Sequence, residues 1–370
     1  MTKQIVIIGG GIVGLSTALE CRVRGFEVTV LEKSAFGGAA TGAAAGMLAP
    51  FSEIEEDPDD FFVLAMESLR FYPSWVETVR AHTKLEFEYS NSGSLHIVYH
   101  EADRLSLESR KRWQGDFNVD ARIVEGEELA KLEPALSKNV QAAMYYPEES
   151  HVYTPDYVAA LEDACKNTGV VLKDKLGSVT VNEWQNTVRL LTESGEQVEA
   201  DQLVICSGAW AKEMEEVFGL RLPVFPVRGQ ICAYETPTHP VSHIVFSPQG
   251  YFVPKDNGTL VNGASEDLAG FNTDVTQEGI DRLTNWNPNV FPFLEAETPF
   301  HEWAGLRPAT QDGFPFLGSL RDYPHILFAT GHYRNGILLS PITAQIIADR
   351  IEQKEDRLAL DAFQPERFTR

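Results

Sequence analysis

Gly9, Gly11 and Gly14 form a G-x-G-x-x-G spacing directly after the apolar run Ile5-Val6-Ile7-Ile8, and Glu32 ends a second apolar run, Val28 to Leu31. This spacing serves the binding of a dinucleotide pyrophosphate. Gly9 permits a tight turn, Gly11 lets the backbone approach a phosphate, and Gly14 lets helix and strand pack closely. The helix behind the turn offers unpaired N–H groups and a partial positive charge to the phosphates. The Glu32 carboxylate can accept hydrogen bonds from ribose hydroxyls. The unit fits NAD, NADP and FAD alike, and its place at the start of the chain only leans towards FAD.

The elements that must position these residues begin with a whole β-α-β unit: a strand from residue 5, a helical stretch Leu15 to Arg24, and a strand Val28 to Leu31. Residues Ala35 to Met47 follow, nearly all small apart from Phe36 and Met47. Small side chains there suit a backbone held close against something flat. Phe51 to Asp60 reads as an acidic connector and Phe61 to Arg80 as an amphipathic helix. Leu85 to Tyr99 alternates and breaks at Asn91-Ser92-Gly93, which predicts a β-hairpin. Thr154-Pro155 predicts a capped helix start, closed by Gly169. Strands are expected over Pro226 to Tyr234, Val245 to Pro254 and Thr259 to Ala264, with Lys255 to Gly258 as a hairpin turn. His325 to Ala329 reads as a strand running into a glycine-containing turn, with a helix over Ile342 to Gln353. The pattern implies a discontinuous α/β architecture, with β-rich insertions forming a separate sheet.

At 370 residues the chain exceeds the usual single core of ~250–300 residues, so two domains are expected. Hydrophobic content of 43% and aromatic content of 10% are those of a globular protein. The formal charge of −23, from 31 basic and 54 acidic side chains, repels phosphate backbones and argues against nucleic acid as a partner. It leaves room for a small anionic substrate held in one local cationic pocket. Cys21, Cys165, Cys206 and Cys232 are widely spread with no C-x-x-C pairing, which suits buried free thiols and a reducing compartment. No metal site is expected. The apolar run Gly336 to Ala348 is interrupted by Pro341, Thr343 and Gln345, and no secretory segment precedes the first strand. A soluble, cytoplasmic protein without a membrane partner is expected.

The segments IVIIGGGIVGLS, TGAAAGMLAP, PVRGQ, GYFVPK, AGLRPATQDGFPFLG and GHYRNGILLSPITA, in this order and spacing, resemble the D-amino-acid oxidase-like flavoenzymes, most closely their glycine oxidase branch. The likeness spans nearly the full length. It implies a discontinuous Rossmann-like FAD-binding domain (residues 1–84, 147–222 and 301–370). The second, α+β substrate domain (85–146 and 223–300) would be built on a mostly antiparallel sheet. The implied chemistry is oxidation of an amine α to a carboxylate, giving an imine that hydrolyses to the oxo acid while O2 becomes H2O2. Glycine, sarcosine and small D-amino acids are the implied substrates, with a homotetrameric assembly and a place in thiamine thiazole biosynthesis.

The resemblance assigns roles residue by residue. Arg307 matches the substrate-carboxylate arginine, a role suited to a permanently charged group that pairs bidentately with a planar carboxylate. Tyr251 matches the active-site tyrosine. Arg334 matches an arginine near both substrate and flavin, and its alternatives are tuning the flavin or holding a loop. Cofactor contacts map onto Ile12, Val13, Glu32, Lys33, Ala40, Thr41, Ala45, Gly46 and Met47, and more loosely onto Ser178. They map also onto His332, Tyr333, Arg334, Asn335, Gly336, Ile337 and Leu338. FAD is expected to be non-covalent, because residues 305–312 contain no cysteine. A hydride leaving Cα directly demands no general base, so His332 is expected to be a structural or flavin-edge residue.

Three positions depart from the family or stay open. Gln249 stands where some relatives have a pocket histidine, and Glu266 where some have a pocket methionine. Glu53 lies in the acidic connector, which reads either as a lid or as a solvated loop. Rival readings are a D-amino-acid dehydrogenase passing electrons to a quinone, a sarcosine oxidase-like amine oxidase, a nicotinamide dehydrogenase, and a flavoprotein scaffold. The acidic charge disfavours the first, and a carboxylate-trapping arginine disfavours the last. A Gly11→Val protein is expected to fold yet purify colourless; stoichiometric yellow flavin in its absorption spectrum would refute the phosphate-turn reading.

Overall fold

In the computed structural model, which describes residues 3–54, 58–238 and 240–369, the strand Gln4–Ile8 has its last four residues buried. A run apolar on both faces belongs in the middle of a parallel sheet. It pairs in parallel with Glu27–Leu31 on one side and Gln202–Ile205 on the other. Val171–Lys173 extends the sheet beyond Glu27–Leu31, Ile326–Thr330 extends it beyond Gln202–Ile205, and antiparallel Phe316–Ser319 closes that edge. Ile5 and Ile7 face a core shared with the helices Ile12–Val23, Asp60–His82, Thr154–Thr168 and Gly336–Ile351. Val6 and Ile8 face the opposite core, under the three-stranded antiparallel sheet of residues 179–200.

A second sheet of eight strands is antiparallel except where Ile244–Ser247 runs beside Ser94–Val98. Its edge strand His301–Thr310 pairs along its whole length with Val224–Glu235, which pairs in turn with Thr259–Gly263. Strand alternation gives this sheet two faces. Phe252, Cys232 and Tyr234 point into a core of their own. Ile231, Tyr251 and Val253 point the other way, against Ala45 of the small-residue segment and Ala49 just beyond it. The cofactor-type sheet and the eight-stranded sheet therefore meet along residues 40–49.

Three readings of the sequence are corrected. Residues 85–99 form no hairpin. Tyr89–Ser90 pairs with Ser150–Val152, whereas Ser94–Val98 pairs with Ala142–Tyr146. The turn at 91–93 is instead drawn to the loop between those partners, where Gly93 N donates to Glu149 O at 3.0 Å and Ser94 Oγ bonds the Glu149 carboxylate. Val245 to Pro254 is two strands, Ile244–Ser247 and Gly250–Pro254, joined by a turn at Pro248-Gln249. The helix Thr154–Thr168 is capped by Tyr153, not Thr154, whose hydroxyl donates to Ala44 O at 3.0 Å. Gly169 closes that helix in the left-handed region at φ 89°. Of the acidic connector, residues 55–57 lie outside the described residues. All four cysteines are free and buried. Among the described residues no helix is long and apolar enough to cross a membrane.

Lys255 links the eight-stranded sheet to the small-residue segment and to the strand Ser150–Val152. It is buried, and its ammonium donates to Ala45 O and Val152 O, each at 2.8 Å. Burial pulls its pKa from 10.5 down to about 7, against Glu88 and Asp256. His151, beside it at 3.3 Å, is pulled down to about 4 by burial and by Lys255. An unfolded chain keeps the lysine protonated up to about 10.5. Between those values the unfolded state binds more protons, so this group's contribution to stability rises with pH. Melting temperatures across that window are expected to rise less steeply in Lys255→Met than in the wild type; parallel curves would contradict the assignment.

Candidate active site

The glycine turn divides its tasks as its sequence implies. Gly9 adopts φ 108°, and a Cβ there would lie 2.3 Å from Cys206 O. A Cβ on Gly14 would lie 1.9 Å from Gly9 O, so helix and strand touch backbone to backbone. At Gly11 a Cβ would meet only Thr41 Oγ1, at 3.2 Å. Gly11 is the N-cap of the first helix and has no side chain to cap it. Thr41 supplies that cap from a distant loop, accepting from Ile12 N at 3.0 Å. Glu32 braces the turn, accepting from Gly10 N at 2.7 Å and Ser34 N at 2.8 Å. Exposed Ser178 lies close by: its neighbour Gly177 donates to Lys33 O at 3.1 Å, and its own N–H is held by Glu193.

A second helix N-terminus, that of Gly336–Ile351, lies far along the chain. Its cap Asn335 makes no side-chain cap bond, so its first amides stay available. The helix start is held from behind by Tyr72, whose hydroxyl donates to Ile337 O, and by Ser68, which donates to Leu338 O. His332 is buried, bonds Thr343 Oγ1 at 3.0 Å, and is pushed by burial to about 3, so it is neutral. Tyr333 takes a left-handed φ of 47° and donates its N–H to Pro308 O at 3.0 Å, which ties this turn to the strand carrying Arg307.

Arg307 and Tyr251 lie on neighbouring parts of the eight-stranded sheet, each over a glycine. The Arg307 guanidinium covers Gly229, where a Cβ would fall 2.4 Å from Cζ. One of its nitrogens donates to Ser265 O at 2.9 Å. Tyr251 covers its register partner Gly263, where a Cβ would fall 2.5 Å from the phenol oxygen. Burial raises the Tyr251 pKa, and Arg307 and Arg334 oppose that rise, so both cations act on this hydroxyl. Sequence reasoning missed Gly229, Gly263 and Ser265. Gly263 is revealed by register with Tyr251, Gly229 by the reach of the Arg307 side chain, and Ser265 by its carbonyl on Arg307.

The two arginines differ in their partners. Arg334 sits 3.3 Å from Glu53 and 3.3 Å from Glu266, and these carboxylates, Glu53 foremost, hold its pKa above the usual arginine value. Glu266 also accepts from the Tyr333 hydroxyl at 2.9 Å. Among the described residues Arg307 has no carboxylate partner. Gln249 is exposed in its turn, with its N–H on Ser247.

The sequence pattern of the FAD dependent oxidoreductase family matches residues 4–350. The chain belongs to this family. It is similar to the bifunctional protein ThiO/ThiG of Synechocystis sp., at 35% identity over 375 residues, covering 99% of this chain and 54% of that protein. The chain thus spans about half the length of that relative. It is also similar to the glycine oxidase of Geobacillus kaustophilus, at 32% identity over 363 residues, covering 97% of this chain and 96% of the relative. The crystal structure of glycine oxidase from that organism superposes with a TM-score of 0.92 at 31% identity over 99% of each chain. Iminodiacetate oxidase from Chelativorans sp. BNC1 superposes at 0.89, with 25% identity over 98% of each chain.

As a member of this family the chain is an FAD-dependent oxidoreductase, and its residues fit that cofactor. The open approach at Gly11 admits phosphate oxygens, and Glu32 stands at the end of the second strand where a ribose would lie. The small side chains of residues 40–46 leave room for a flat ring against the backbone. An Arg307→Ala holoenzyme is expected to retain FAD and to bind glycolate about a hundredfold more weakly, read from perturbation of the flavin spectrum. Arg307→Lys should restore only part of that affinity, because a point charge cannot make paired hydrogen bonds. Equal affinity in all three proteins would remove Arg307 from the carboxylate site.

Proposed function

We propose that this chain is an oxidase of glycine and of other small amines such as sarcosine and small D-amino acids. Overall, glycine, O2 and water become glyoxylate, ammonia and H2O2. The observation that carries this reading is Arg307, a cation without an acidic partner among the described residues of a chain of net charge −23. It lies flat over Gly229 and beside the Tyr251 hydroxyl. Such a group suits a planar carboxylate, held bidentately.

In this reading Arg307 takes the substrate carboxylate and Tyr251 donates its hydroxyl to the same group. The Tyr251 phenol stays protonated because burial holds its pKa up. Holding the carboxylate at two points fixes the direction of Cα, and orientation then contributes most of the acceleration on the protein side. FAD, when bound, supplies the two-electron acceptor and the reaction with oxygen. The Glu32 and Gly9–Gly14 turn would hold its adenosine and pyrophosphate end, and residues 40–47 and 332–338 would line its ring. Burial keeps the His332 imidazole neutral and one ring nitrogen is engaged by Thr343, so in this reading it serves structure or the flavin edge.

The same reading includes a cofactor domain of residues 1–84, 147–222 and 301–370 and a substrate domain of 85–146 and 223–300. The pairing of His301–Thr310 with Val224–Glu235 favours moving the last boundary to after Thr310. It also includes a cytoplasmic homotetramer with a role in thiamine thiazole biosynthesis, as the resemblance implies. Under air, the purified holoenzyme is expected to release peroxide and glyoxylate from glycine. Without oxygen, glycine should bleach the flavin. Failure of glycine, sarcosine and D-alanine to bleach it would overturn the reading, and bleaching without peroxide under air would point to a dehydrogenase.

A further inference from the structure

We propose that Glu266 is a specificity-determining residue that keeps dicarboxylate amines out of the site by occupying Arg334. The inference rests on the reading of Arg307 as the carboxylate anchor. The two arginines lie at either side of one short stretch of backbone: Ser265 O accepts from Arg307, and the next side chain, Glu266, pairs with Arg334. Both guanidinium groups act on the same Tyr251 hydroxyl. A ligand anchored on Arg307 that extends a second carboxylate towards Arg334 therefore approaches Glu266.

Arg334 has its charge already answered. One nitrogen faces Glu266 and another faces Glu53, each at 3.3 Å. The Tyr333 hydroxyl fixes the same Glu266 oxygen that Arg334 uses. Together with Arg307, the group carries two positive and two negative charges. A zwitterionic amino acid with one carboxylate enters this balance without leaving an unpaired charge. A second ligand carboxylate must either displace Glu266 from Arg334 or lie beside it, and like charges so placed repel.

The two glutamates are not equivalent. Glu53 is nine-tenths covered, at 9% side-chain exposure. It sits on the short helix Pro50–Glu53, whose Phe51 and Ser52 amides are held by the buried Glu149 carboxylate. Glu266 is 49% exposed and reaches Arg334 from the open side. Removing its charge leaves Arg334 free to receive an outside anion while Glu53 still fixes it in place.

Diglycolate and methoxyacetate test this. They are the ether analogues of iminodiacetate and sarcosine, with oxygen in place of the oxidisable nitrogen, so binding is read without turnover. Calorimetric Kd values for both, on the FAD-loaded wild type, Glu266→Gln and Glu266→Ala, give a dicarboxylate-to-monocarboxylate affinity ratio. That ratio is expected to rise about tenfold or more in both variants, and to fall back in Glu266→Gln combined with Arg334→Gln. A change of less than about twofold in both single variants would overturn the proposal, as would a gain that survives loss of Arg334. The anchor is judged separately, by whether Arg307→Ala weakens methoxyacetate. Binding of neither ether to any of these proteins would overturn both.

Discussion

A stretch of mostly small side chains, residues 40–47, is the constraint on which the rest depends. Thr41 caps the first helix, and Ala43 O accepts from Trp303 at 3.1 Å. Ala44 O receives Thr154, Ala45 O receives Lys255, and Gly46 O receives Val152 N. A Cβ on Gly46 would lie 2.1 Å from Val152 O, and one on Gly305 would lie 2.4 Å from the Ala43 side chain. A larger residue at Gly305 would push the eight-stranded sheet off this segment, and one at Gly46 would push away the strand Ser150–Val152. The glycine turn and the strand of Arg307 are joined through this segment, because Thr41 caps the helix behind the turn and Ala43 packs on Gly305.

Charge is handled differently at the two levels of the structure. The surface is strongly acidic, whereas the buried ionisable groups each answer to named partners. Glu149 accepts from two amides and two hydroxyls, yet complete burial still raises its pKa to about 7. That carboxylate fixes the short helix that carries Glu53, and Glu53 in turn fixes Arg334. Arg307 alone of the site's ions is held by a neutral carbonyl. Glu149 and Glu53 thus position Arg334, whereas Arg307 is left without an acidic partner among the described residues.

How much was legible follows from how local each feature is. The turn from Gly9 to Gly14, the helix closed by Gly169 and the hairpin at Lys255 to Gly258 depend on neighbours within a few residues, and their sequences announce them. The supposed hairpin at 85–99 failed because its two halves find better partners on either side of Glu149, and alternation alone carries no partner's address. Gly229 and Gly263 were invisible for the same reason. Gly263 lies across from Tyr251 in register, and Gly229 lies under the Arg307 side chain, which reaches it from across Val227. Arg307, Tyr251 and Arg334 were found through likeness to a family, and no local pattern would have set them apart from other arginines and tyrosines. Glu266 stands out in the sequence as a departure, but its engagement with Tyr333 and Arg334 is set by the fold, which brings residues 266 and 333–334 together.

The burial of all four cysteines acquires a meaning once the proposed chemistry is considered. Peroxide attacks thiolates, not thiols, and it attacks those it can reach. Here every sulfur is enclosed, and burial pushes each thiol's pKa up. Cys206 is set directly behind the phosphate turn, with its carbonyl against Gly9, where an oxidised sulfur would disturb the cofactor seat. An oxidase that releases its own corrosive product over many turnovers gains working lifetime from such an interior. In the proposed reaction, the packing around Cys206 and the glycine turn would also shield the chain from its own peroxide.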